Sequence, residues 1–181
     1  TAPDSLPVTG TPGGLGAVSR DGQRAVFAVP QPPQTRQITL FDREGKMVRR
    51  VGEPGLFGQP ALSPDGTKLV VTRNEPNVGV QDIWTIEIAT GKATRITNDP
   101  PGEGNPIWSP DGKYILYVAN RQPYFAIFRR PADGSGSEEM LFRYTPGAGL
   151  NLTDISPDGK FVTFGSGGVV FVVPLTGTDP L

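Results

Sequence analysis

One four-residue motif recurs in phase four times, and it constrains this chain more than any other feature. It reads Ser19-Arg20-Asp21-Gly22, Ser63-Pro64-Asp65-Gly66, Ser109-Pro110-Asp111-Gly112 and Ser156-Pro157-Asp158-Gly159, with aspartates 44, 46 and 47 residues apart. Proline presets φ for a tight turn, aspartate accepts nearby backbone N–H bonds, and glycine takes the left-handed position. Asp21, Gly22, Asp65, Gly66, Asp111, Gly112, Asp158 and Gly159 are therefore expected as structural turn residues. Each motif follows an apolar residue (Val18, Leu62, Trp108, Ile155) and precedes a strand-like run such as Leu69-Val70-Val71-Thr72 or Tyr114-Ile115-Leu116-Tyr117-Val118. A repeat of about this period built from short strands is the signature of a propeller blade.

The rest of each unit agrees. After a variable loop comes a third apolar run such as Ile83-Trp84-Thr85-Ile86, then a second turn such as Ala89-Thr90-Gly91-Lys92, then a polar run such as Ala93-Thr94-Arg95. Central strands are covered on both faces, while an outermost edge carries charge that discourages foreign pairing. The expected fold is thus an all-β beta-propeller of four antiparallel four-stranded blades, at approximately 14–51, 58–97, 106–144 and 152–173. The fourth unit has its first three strands, ending near Val169-Val170-Phe171-Val172-Val173. Residues 4–9 sit where a closing strand would sit. Four blades is the lower limit for propellers. Excision from a larger ring, closure at four blades, and pairing of two chains as a homo-oligomer all stay open. The opening Thr1-Ala2-Pro3-Asp4, without methionine, suggests a processed or excised piece.

Composition enters as exclusion. With Cys 0 and His 0 the chain offers no disulfide, no thiol nucleophile and no imidazole base. Ser–His–Asp and Cys–His catalysis are excluded, and no Gly-x-Ser-x-Gly elbow occurs. The repeated aspartates belong to different blades, too far apart for paired carboxylates. Asp133-Gly134-Ser135-Gly136-Ser137 lacks the ligand spacing of a calcium loop, and Gly165-Ser166-Gly167-Gly168 lacks the Gly-Lys-Ser/Thr of a phosphate cradle. The expectation is a chain with no catalytic residues, no metal and no cofactor. Lys+Arg 17 against Asp+Glu 18 gives a net charge of −1, and Arg49-Arg50 and Arg129-Arg130 are isolated basic pairs, which argues against nucleic acid. No run of 18 apolar residues is present to form a helical membrane span.

Ser-Pro-Asp-Gly-Lys/Thr before an aliphatic–aromatic strand, and Asp82-Ile83-Trp84 leading into Ala89-Thr90-Gly91-Lys92-Ala93-Thr94-Arg95-Ile96-Thr97-Asn98, resemble the TolB-like beta-propeller repeats of bacteria. Unlike true WD repeats, the chain has no Trp-Asp dipeptide and no Gly-His pair. The resemblance implies a periplasmic or otherwise extracytoplasmic protein-docking or sensing scaffold. Similar repeats also occur as sensor portions of bacterial serine/threonine kinases and as gating propellers of serine oligopeptidases, so an accessory role beside an enzyme is the alternative. Fold alone does not decide between them.

The candidate binding face is the rim opposite the repeated turns, formed by loops at 52–57, 74–81, 99–105, 120–124 and 145–151. Loops on a rigid sheet scaffold commonly carry binding residues. Phe57, Arg121 and Tyr124 are residue types that anchor interfaces, with Glu103 and Asn105 as polar neighbours. A protein partner is expected there, and a small molecule in the channel mouth is the rival.

Overall fold

The computed structural model describes residues 15–18, 25–30, 35–74, 80–100, 102–145 and 149–175, the first two segments as backbone. Every regular element among them is a β-strand, and every pairing is antiparallel. Blade 1 contains β1 (Leu15–Val18), β2 (Ala25–Pro30), β3 (Arg36–Phe41) and the first half of β4 (Met47–Leu62). Blade 2 takes the second half of β4, then β5 (Lys68–Asn74), β6 (Gln81–Glu87) and β7 (Ala93–Arg95). Blade 3 is β8 (Glu103–Trp108), β9 (Tyr114–Arg121), β10 (Tyr124–Pro131) and β11 (Glu139–Tyr144); blade 4 is β12 (Asn151–Ile155), β13 (Phe161–Ser166) and β14 (Val169–Pro174). Among the described residues the sheets do not close on one another, as in part of a propeller. The suggested closing strand at 4–9, and the first turn with Asp21 and Gly22, lie outside the described residues.

The three described motif turns have the same bonding. The Ser63, Ser109 and Ser156 hydroxyls each donate to the aspartate two residues on, at 2.6 Å, and each accepts the backbone N–H five residues on, at 2.9 Å. The glycine N–H then closes the turn onto the serine carbonyl at 2.8–2.9 Å. Between β13 and β14 the two-residue turn Gly167-Gly168 has φ of 57° and 81°. That conformation matches the twist of a hairpin and is open to glycine at both positions.

One expected loop is strand instead. Residues 52–57 lie within β4, which pairs with β3 as far as Gly55 and with β5 from Leu56 onward. Gly52 turns the chain at a φ of 62°, and a Cβ on Gly91 would come within 2.8 Å of the Gly52 nitrogen. Pro54 falls beside the change of ladder partner, where a missing N–H removes no sheet bond.

Apolar alternation places a core between each pair of neighbouring blades. Ile38, Leu40 and Val51 meet Leu69, Val71 and Ile86; Val70, Ile83 and Ile96 meet Trp108, Ile115 and Tyr117; Leu116, Val118 and Ile127 meet Leu152, Val162 and Phe164. Trp108 belongs to the second of these. It is buried, and its indole N–H donates to the Ala61 carbonyl at 3.1 Å, so it joins two blades rather than facing a channel.

Candidate functional site on the loop rim

Antiparallel order puts the ends of β5, β9 and β13, and the starts of β4's second half, β8 and β12, on the side away from the repeated turns. Two arrangements form there, and the sequence-selected residues divide between them.

The first is an ionic hub at the junction of blades 2 and 3. Glu103 opens β8 and Arg121 ends β9; the Arg121 Nη2 lies 3.3 Å from Glu103, 3.3 Å from Glu138 and 4.0 Å from Asp99. Its guanidinium also lies 5.3 Å from the centre of the Phe128 ring, and the Tyr117 hydroxyl donates to Glu138 at 2.8 Å. The Glu103 side chain has 0% exposure and that of Arg121 has 19%. Burial pushes the Glu103 carboxyl above its ordinary range, against a hydrogen bond from Thr97 and the charge of Arg121. Burial works against the charge on Arg121, but Glu138, Glu103 and Asp99 outweigh it and hold the guanidinium above the usual arginine range. A buried pair of this kind resists removal of either member.

The second is a row of amides across the first strands of blades 2, 3 and 4. The Gln59 side chain donates to the Asn105 carbonyl oxygen Oδ1, and the Asn105 backbone N–H returns a bond to Gln59 Oε1 at 2.8 Å. The Asn105 Nδ2 donates onward to the Leu150 carbonyl and to Asn151 Oδ1, both at 3.2 Å. Gln59 and Asn105 have φ of 47° and 52°, in the left-handed region that few non-glycine residues enter. Both precede proline and sit where the ladder slips, between Gly58 and Ala61 and between Gly104 and Ile107. Here the bulge turns the amide toward the next blade.

The structure therefore joins Glu103 to Arg121 and Asn105 to Gln59. Tyr124 opens β10 directly opposite Arg121, is half-buried, and carries the Arg143 guanidinium 3.9 Å from its ring centre. Phe57 stands apart and corrects the expectation of a rim anchor. It is 7% exposed, in the core between blades 1 and 2, because the segment before it is strand rather than loop. Glu103 and Asn105 likewise lie in or at the start of β8 rather than in a loop. Gln59, Glu138 and Arg143 were not singled out as binding residues by the sequence, and Asp99 and Asn151 stood only at the bounds of expected rim loops. A signal existed for Gln59, since Gly58-Gln59-Pro60 and Gly104-Asn105-Pro106 stand at the same distance before their turns.

Fold and rim together define a propeller-repeat domain, with constant turns on one side and blade-specific polar contacts on the other. The chain belongs to the TolB beta-propeller family: the TolB beta propeller domain matches it over residues 15–171. A Tol-Pal system protein TolB from Wolinella succinogenes is 24% identical over 135 residues, covering 74% of this chain and 30% of that protein. A solved structure described as TolB, from Agrobacterium tumefaciens, is 25% identical with a TM-score of 0.69, over 91% of this chain and 55% of that one. An oligogalacturonate lyase from Vibrio parahaemolyticus shares the fold at 16% identity and a TM-score of 0.65, over 88% of this chain and 50% of its own. The chain thus spans less than a third of that curated relative and about half of these solved chains.

Proposed function

We propose that this propeller is a non-catalytic, extracytoplasmic scaffold that docks a protein on its loop rim, around Tyr124, Arg143 and the Asn105 amide row. One observation carries the reading. The turn side repeats one self-contained bonding pattern, whereas the loop side differs from blade to blade and is held by contacts between blades. A constant scaffold with one specialised face has that asymmetry. Tyr124 stacked on Arg143 supplies the aromatic–arginine pairing common at interface centres. The enzyme alternative has in its favour the fold shared with a lyase, and fold is neutral about chemistry.

The relative named for the Tol-Pal system makes Pal the probe to use. Purified Pal should bind immobilised propeller, and Tyr124→Ala with Arg143→Ala should weaken it by roughly tenfold or more. The melting temperature should stay within a few degrees. Binding that survives the double substitution, or that follows substitutions in the Ser-Pro-Asp-Gly turns, would move the site to another face.

A further inference from the structure

Asp-Gly is the aspartyl linkage most open to rearrangement, because glycine has no side chain to hinder its nitrogen. That nitrogen can attack the carboxyl carbon of the preceding aspartate. The N–Cγ bond forms, the carboxyl OH leaves with the nitrogen's proton as water, and a five-membered succinimide results. Water then opens the ring at the main-chain carbonyl, and the backbone continues through the side chain as isoaspartate, one methylene longer. Water is lost and regained, so no oxidant or other co-reactant takes part. The chain carries this linkage at Asp21, Asp65, Asp111, Asp133 and Asp158, and all but the first lie among the described residues.

Three of these four belong to the repeated turns. In each, the aspartate Oδ1 accepts the serine hydroxyl at 2.6 Å and the N–H two residues on at 3.0–3.1 Å. The serine oxygen is itself bonded to the N–H of Lys68, Tyr114 or Phe161, the first residue of β5, β9 or β13. Each carboxylate is thereby tied to the start of a central strand. Asp133-Gly134 is built differently. Pro131 stands where the serine would, and Asp133 is bonded instead to Ser135, whose N–H lies at 2.9 Å, within the same exposed connector. The glycine N–H is engaged alike in both kinds of turn, with the Pro131 carbonyl at 3.0 Å and with the motif serine carbonyls at 2.8–2.9 Å. All four carboxyls are held below their ordinary range, first by a serine hydroxyl and then by a backbone N–H, so ionisation does not separate them. The anchorage of the serine does.

We propose that the serine of each repeated turn guards its Asp-Gly bond against this rearrangement, and that Asp133-Gly134 is where the folded chain forms isoaspartate. To cyclise, the carboxyl must swing toward the glycine nitrogen. In the repeated turns that swing breaks the bond to an anchored serine, and a hydrogen bond to a charged group restrains it by about tenfold or more. At Asp133 the carboxyl and Ser135 move together. The same connector carries Glu138 to Arg121 and Tyr117, and a Cβ on Gly134 would stand 3.3 Å from the Arg95 carbonyl. An added backbone methylene there strains the junction of blades 2 and 3.

The test is to age the whole chain for several weeks at neutral pH and map its peptides by a method that separates isoaspartyl from aspartyl forms. Isoaspartate should accumulate at Asp133 at least about tenfold faster than at Asp65, Asp111 or Asp158. Ser109→Ala should raise the rate at Asp111 by about tenfold, while Asp65 and Asp158 in the same protein stay at their original rates. Ser109→Thr keeps the hydroxyl and should keep Asp111 protected. Similar rates at all four sites in the unaltered chain overturn the proposal. So does an Asp111 rate that Ser109→Ala leaves unchanged. A rise of equal size at Asp65 and Asp158 in that variant overturns it too, since protection would then come from the fold as a whole and not from the serine.

Discussion

The turn rim and the loop rim handle the same residue class in opposite ways. On the turn rim, hydrogen bonds from the Ser63, Ser109 and Ser156 hydroxyls, then from backbone N–H groups, hold the Asp65, Asp111 and Asp158 carboxyls below their ordinary range. These groups stay in water, with Asp111 and Asp158 side chains 51% and 52% exposed. On the loop side, Glu103 is fully buried, and its carboxyl is pushed up. A turn that satisfies itself within six residues can be repeated in every blade without regard to its neighbours. A buried carboxylate needs partners from other elements, so its surroundings belong to one junction.

The greatest contrast should come from Arg121→Ala. It leaves Glu103 buried without its cation, and unfolding in urea should show a loss of about 3 kcal/mol, in the range for a broken buried pair. A loss below about 1 kcal/mol would mean that the hub resembles a surface pair, and the comparison would collapse. Ser109→Ala tests the other side. It removes the donor to Asp111 and the acceptor for the Tyr114 N–H, and should cost about 1–2 kcal/mol in the same assay. A loss as large as that of Arg121→Ala would show that turns couple across blades.

The smallest effect concerns pH and separates the rims by sign. Asp65 and Asp111 have folded pKa values below 3.8, so their stabilisation is present above 3.8 and is lost as pH falls through the lowered values. Glu103 has a folded pKa above 4.5, so its contribution is complete below 4.5 and declines as pH rises through the raised value. Asp111→Asn should flatten the acid side of the stability–pH curve, and Glu103→Gln the rise on going down toward 4.5. Each change should be measurable by denaturation at half-unit pH steps. Matching slopes for both variants would remove the distinction between the rims.

Phe57 shows where sequence reading stopped. Gly52-Glu53-Pro54-Gly55 has turn composition, yet β4 runs through it, because one strand serves two sheets and Pro54 falls near the handover. Residue type alone could not reveal that switch of partner. Arg121 was legible as an anchor type, but its guanidinium is spent on carboxylates 17 and 18 residues away. Asn105 was legible as polar; its left-handed backbone and its bonds to blades 2 and 4 were not.

The sequence by itself determined the turns, the blade period, the strand alternation and the absence of imidazole and thiol chemistry. Those properties arise within a few residues, where proline, glycine, aspartate and the alternation of apolar side chains act directly. The tertiary structure decided which polar residues are buried, which amides reach the next blade, and where one strand changes its sheet. Each depends on residues from separate strands meeting at a blade junction, a distance over which local propensity has no hold.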